Sequence, residues 1–205
     1  MARIPREAKD DVRRRLLEAA AHHFAARGLE GTSIDGIALA AGFAKGTIYN
    51  YFPSKEELFA EVLAEGCRRA AERYASAPHE GSVRACLGAL AAADVAVLRE
   101  DKGFTKVVVR EAMSFRPQTY PLLVTHLAPY LGKVQEVLER GVAAQEIRAD
   151  RPPGELALAF VGVLALLYVQ HWGSGGTWPA LDEIPSLAVS LFLDGAAHPG
   201  QEGPR

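Results

Sequence analysis

Cysteine is scarce in this chain: Cys67 and Cys86 are the only two in 205 residues, with neither CxxC nor metal-ligand spacing. A reduced intracellular setting is expected, with both thiols as packing residues. Long hydrophobic runs are missing too. The longest, Leu156 to Val169, has fourteen residues, where a membrane span needs roughly 20; a deeply buried helix is expected there. The opening MARIPREAKDD has no apolar core, so no signal peptide is expected. Charge of one sign is not in excess. A net charge of −2 excludes a globally basic nucleic-acid protein but leaves room for a local basic face. There is no internal repeat. No G-x-S-x-G, H-E-x-x-H or paired-carboxylate motif occurs, and Gly173-Ser174-Gly175-Gly176 lacks the Lys-Ser/Thr of a phosphate loop. No catalytic residue, metal ligand or cofactor is assigned, and an enzyme is not expected.

What the chain does have is apolar material for a substantial core, 49% of its residues, and one stretch of unusual polarity, Ser33 to Phe52. Ser33 can cap a helix. Ile34, Ile37, Ala38 and Ala41 recur at helical spacing and mark its buried face. Gly42 supplies the left-handed residue that ends it. A second helix is expected from about Ala44 to Tyr51, with Ile48 and Phe52 facing inward. Lys45, Thr47, Tyr49, Asn50 and Tyr51 then lie outward, and Gly46 allows close approach of a partner. A cation, hydroxyls, an amide and two phenols make poor core material but suit phosphate oxygens and base edges. Helix, glycine turn and short polar helix together form a helix-turn-helix.

The pattern T-S-I-x-x-I-A-x-x-A-G-x-x-K-G-T-I-Y-x-Y-F-x-S-K-E-E-L resembles the DNA-binding domain of TetR-family transcriptional regulators over about the first third of the chain. The resemblance implies a homodimeric one-component sensor, usually a repressor, with an N-terminal three-helix DNA-binding domain. A helical C-terminal domain would dimerise and bind a small effector. Two residues depart from the pattern: Ala44 stands where the family often has a capping Ser or Thr, and Tyr51 where it often has His.

Charge follows the same division. Through Lys55 there are nine Lys/Arg against six Asp/Glu, and beyond it fourteen against nineteen. Arg3, Arg6 and Lys9 are placed on an arm that could reach phosphates. A helix is expected from about Asp10 to Arg27, with Val12, Leu16, Ala20 and Phe24 inward and Arg13, Arg14 and Arg15 on a solvated face. His22 and His23 are adjacent and so do not make a metal pair. Ser54 and Glu57 form a capping box. Lys55 in that first turn sits against the helix dipole unless a phosphate joins it.

The expected fold is all-α with about nine helices. A DNA-binding domain is assigned to residues 10–70, an effector-binding and dimerisation domain to 78–197, and a loose tail to 198–205. Pro117, Pro121 and Pro129 are expected to interrupt the apolar segment and kink the central helices, and Leu131 to Val142 reads as amphipathic. Helices at about 154–172 and 182–196 would expose Leu156, Phe160, Val163, Leu167, Val189, Phe192 and Leu193 on a monomer, a surface for two-fold pairing. Double-stranded DNA contacts are assigned to Thr32, Ser33, Lys45, Gly46, Thr47, Tyr49, Asn50, Tyr51 and Lys55. Arg110, Met113, Tyr120, His126, Tyr130, Tyr168, His171 and Trp172 are candidates for a small hydrophobic effector, with Arg110 for its polar head group. Ligand binding would shift the fourth helix and so the separation of the recognition helices. The rival readings are a carrier or enzyme on the same scaffold without DNA affinity, and a protein-interaction module using the apolar helices. The expected location is cytoplasmic.

Overall fold

A computed structural model describes residues 6–77, 80–100, 103–114 and 116–195. Among these residues nine helices form and no strand does. The first four are α1 (Arg6–Arg27), α2 (Ile34–Ala41), α3 (Lys45–Tyr49) and α4 (Lys55–Ala75). Then come α5 (Val83–Glu100), α6 (Phe104–Ala112), α7 (Tyr120–Ala143), α8 (Pro153–Gly173) and α9 (Ile184–Leu193). α1 begins before the expected Asp10, so Lys9 rides on a helix and not on an arm. Arg3, His79, Phe115 and the tail 198–205 lie outside the described residues.

Local chemistry sets the boundaries. Ser33 is extended and its Oγ accepts the Gly36 N–H at 3.1 Å, capping α2. Gly42 has φ 75°, the left-handed conformation that costs glycine little. Its N–H donates to Leu39 O, and the Phe43 N–H to Ala38 O, which satisfies the last carbonyls. Ser54 Oγ accepts the Glu57 N–H at 3.0 Å and starts α4. Ala44 gives α3 no side-chain cap, and α3 is five residues long, shorter than the expected 44–51.

Contacts divide the chain into two compact units, neither of them one continuous segment. The first holds residues up to Arg69 together with Glu100–His126; the second holds Ala70–Arg99 and the chain from Leu127 onward. α6, expected within the effector segment, therefore packs with the first unit. There α1 packs on α2 and α6, and α2 on α3. Leu16, Ala20 and Phe24 are fully buried, as the period of α1 predicts, and Phe24 meets Phe59 edge to face with centroids 5.0 Å apart.

In the second unit α8 packs on α9, with Phe160 against Phe192 at 5.3 Å. Two expectations are corrected here. Pro121 and Pro129 do not break the chain into separate helices. Pro121 occupies the first turn of α7 and Pro129 lies inside it, so the amphipathic stretch 131–142 is its second half. Thr125 and Pro129 are exposed, so water can reach the Thr125 carbonyl, four residues back, that the proline leaves unbonded.

The outward face of α8 is also not the one expected. Leu156, Phe160 and Leu167, with Val189 of α9, are buried within the chain. Leu158 (62%), Leu166 (58%), Val169 (40%) and Leu191 (44%) are the exposed apolar side chains instead. α8, 21 residues long, contains an 18-residue window of mean hydropathy 1.7, long and apolar enough to cross a membrane by length and composition only, and 33% of that window is buried. The deep burial expected for residues 156–169 holds on one face alone.

Candidate functional site

The helix-turn-helix is built on a small apolar base. Ile34, Ile37, Ala38 and Ala41 of α2 are buried, as are Ile48 of α3 and Phe52 just beyond it. Lys45, Gly46, Tyr49 and Asn50 are exposed, while Thr47, Tyr51 and Lys55 are half-buried. The expected sides of α3 are therefore the observed ones. Cβ built on Gly46 would meet nothing within 4 Å. Glycine inside a helix costs roughly 0.5–1 kcal/mol relative to alanine, and nothing in the free chain requires it there.

The arginine run at the start of α1 is not simply a solvated face, and two of its members brace the motif. Arg15 donates through Nη2 to the Ala41 carbonyl at 2.9 Å and lies 4.7 Å over the Phe43 ring. It thus holds the end of α2 and the turn after it, where a cation suits the helix dipole. Arg13 bridges to Glu61 of α4 at 2.5 Å and sits 5.5 Å over Phe52. Arg14 pairs with Asp11 and Glu18 on α1.

The two lysines of the motif already have partners. Lys45 Nζ lies 3.1 Å from Asp35 Oδ2. Lys55 Nζ donates to the Thr32 carbonyl at 3.4 Å. Thr32 itself departs from the expected phosphate contact: it is buried, and its hydroxyl donates to the Gly28 carbonyl at 2.7 Å and lies 3.2 Å from that of His23. It ties the end of α1 to the entry of α2. Ser33 Oγ is exposed but engaged as the α2 cap.

The eight effector candidates divide between the two units. Arg110, Met113, Tyr120 and His126 belong to the first unit, and Tyr130, Tyr168, His171 and Trp172 to the second. The Arg110 guanidinium does not await a head group; its Nη1 donates to the Ala25 and Ala26 carbonyls at 3.3 and 3.4 Å, closing the end of α1. Met113 and Tyr120 are exposed and His126 is half-buried. His171 Nδ1 meets the Pro179 carbonyl at 2.9 Å, and Trp172 tilts against Tyr168 at 6.1 Å.

Tyr130 and Tyr168 lead to a residue that pattern reading passed over, Asp94 on the nearly apolar α5. Asp94 is 4% exposed. Its Oδ2 accepts the Tyr168 hydroxyl at 2.7 Å and the Tyr130 hydroxyl at 3.1 Å, and Tyr74 donates to Tyr130 at 3.0 Å. The Tyr74 and Tyr130 rings stack with centroids 4.4 Å apart. Burial pushes the Asp94 carboxyl up to about 6, against the two phenol hydrogen bonds that favour its charged form. The three phenols are held well above their ordinary range by burial and by that carboxylate. A single Asp in an apolar helix is the one local signal for this cluster. Burial likewise pushes the Cys67 thiol up to about 12, which keeps it unreactive.

The sequence was also silent on a cleft of about 730 Å³ lined by Arg15, Glu18, His22, His23 and Lys106 over a floor of alanines. His23 is kept below its ordinary pKa by burial, with Arg27 and His22 adding repulsion. Among the described residues, no group of three or more His, Cys, Asp or Glu gathers as for a metal ion.

With this geometry in view, similarity to known proteins is informative. Residues 16–62, from α1 into α4, match the family of bacterial regulatory proteins, tetR family. The HTH-type transcriptional repressor KstR2 of Rhodococcus jostii (strain RHA1) is 30% identical over 200 residues, covering 93% of this chain and 94% of that protein. The crystal structure of FadR from Bacillus subtilis in complex with stearoyl-CoA shares the fold, with a TM-score of 0.79 at 19% identity. It covers 90% of this chain and 99% of that one. The crystal structure of AibR in complex with isovaleryl coenzyme A and operator DNA shares it with a TM-score of 0.71 at 20% identity, over 89% and 98% of the two chains. The chain belongs to the TetR family of DNA-binding transcriptional regulators.

Proposed function

We propose that this regulator is a homodimeric repressor that leaves its operator when a small hydrophobic effector binds. The observation that carries the reading is α3: a short helix whose apolar residue faces inward and whose polar residues face water, at the place where family members meet DNA. Lys45, Gly46 and Asn50 approach base edges; Thr47, Tyr49, Tyr51 and Lys55 hold the phosphate backbone, with the Ser33 cap beside them. Residues 10–70 carry this role and residues 78–197 carry effector binding and pairing. No reaction is assigned to the chain. A chromosomal target puts its work in the cytoplasm.

The exposed side chains of α8 and α9 support pairing through these two helices as a four-helix bundle. Two family folds solved with an acyl-CoA molecule support an acyl thioester as the effector class. The remaining candidates for contacting it are His171 and Trp172 in the second unit, or alternatively Met113, Tyr120 and His126 in the first. α4 gives residues to both compact units, and an effector that prefers one setting of α4 would shift the population away from the DNA-bound geometry.

A mobility-shift assay on duplex from upstream of the protein's own gene tests this. The chain is expected to shift the duplex, and an acyl-CoA to reverse the shift. Lys55→Ala should weaken binding to all sequences and flatten the salt dependence by roughly 1. Unaltered binding by that variant would remove Lys55 from the interface. No shift by the natural chain at low salt would overturn the reading.

A further inference from the structure

Lys45 opens α3 and Asp35 stands in the first turn of α2, and their side chains meet at 3.1 Å. Both are more than half exposed, 54% and 68%, so the fold gains little from the contact. Each charge has a reason to be where it is only in part. A carboxylate suits the start of α2; a cation at the start of α3 opposes the helix dipole. On a surface meant for DNA, Asp35 is the odd member, since a carboxylate there repels phosphate.

We infer that Asp35 is a selectivity residue: it holds the Lys45 ammonium and so penalises DNA that offers that lysine only phosphates. The inference rests on α3 being the recognition helix. An ammonium has three N–H donors, so Lys45 held by Asp35 still has two for the O6 and N7 acceptors of a guanine. A lysine swung aside to a phosphate must give up Asp35, and the freed carboxylate then faces an anionic backbone. The pair is also neutral, which lowers the number of counterions that non-specific contact can release. Asp35 thus weakens phosphate-only complexes while costing the operator complex little, and the ratio between the two rises.

Fluorescence anisotropy on two duplexes of equal length decides it: an upstream fragment that the protein binds, and the same bases scrambled. The natural chain is compared with Asp35→Asn, Lys45→Ala and the double variant, with circular dichroism melts to confirm folding. Asp35→Asn is expected to bind the scrambled duplex roughly fivefold more tightly and to steepen its salt dependence by about 1. Binding to the upstream fragment should stay within about twofold of the natural chain. In the Lys45→Ala background only bare repulsion of phosphate is relieved, so the substitution should tighten both duplexes alike and leave their ratio unchanged. In the natural background, equal tightening on both duplexes or no tightening on the scrambled one would overturn the proposal, as would a loss of selectivity that survives Lys45→Ala. A natural chain that binds neither duplex would instead overturn the recognition role of α3, and the proposal with it.

Discussion

Tyr168 and Asp94 are joined across 74 residues by a hydrogen bond of 2.7 Å from phenol to carboxylate. Tyr130 adds a second donor, and among the described residues no basic side chain is bonded to the carboxylate. A buried carboxylate held by phenols alone keeps a charge that burial disfavours. Stability must then depend on pH in an unusual sense. The Asp94 carboxyl titrates near 6 when folded and near 3.8 when unfolded. Between those values the folded chain binds the extra proton, so the contribution is full below about 3.8 and is lost as pH rises through about 6. Asp94→Asn removes it. The stability of the natural chain relative to that variant is expected to fall between pH 4.5 and 8, by about 2 kcal/mol. Urea unfolding at the two pH values measures the difference; a constant difference would contradict the account.

Tyr168→Phe takes away one of the two donors and leaves the carboxylate more exposed to the cost of burial. A loss of about 1–3 kcal/mol is expected at pH 8, shrinking at pH 4.5 where the carboxyl is protonated. Denaturant titrations of the variant at both values check the pH dependence, which simple loss of packing would not produce.

Gly46 separates folding from function. With open space at its Cβ position, Gly46→Ala should raise stability by about 0.5–1 kcal/mol. The same methyl would stand between α3 and a base edge, so binding to the upstream duplex should weaken. Thermal melts and mobility shifts on one preparation test both halves. A variant that is stabilised and binds as before would remove the close approach from the account.

Leu166→Glu puts a charge on the outward face of α8, where the native side chain is 58% exposed in a single chain. A folded monomer by light scattering is the expected outcome, with an unchanged helical spectrum. A dimer of undiminished stability would move the pairing surface elsewhere.

The parts of the fold that were legible in the sequence are those that local chemistry controls. Ser33, Gly42 and Ser54 mark helix ends because a side-chain oxygen or a left-handed residue acts within three or four positions. The two sides of α3 follow from Ile48 and Phe52 being four apart. The roles of Arg15 and Arg110 were not legible for the opposite reason. Each closes a helix end or braces a turn, and its carbonyl partner lies 26, and 85 or 84, residues away. Nothing next to them in the chain announces it. α8 failed differently. A helix apolar on every side has no phase, so its pattern does not say whether Leu156 or Leu158 turns inward. Asp94 could be seen as odd, but its three tyrosines arrive from α4, α7 and α8, and only the packed chain brings them together.

Hydroxyl-radical footprinting on the shortest bound upstream fragment tests the central claim most directly. Two protected patches related by a two-fold axis, with centres about one helical turn apart (~34 Å) or somewhat more, are the predicted result. They should fade together when Tyr49→Ala and Lys55→Ala are combined. A single patch, or protection that the paired substitution leaves intact, would contradict the account.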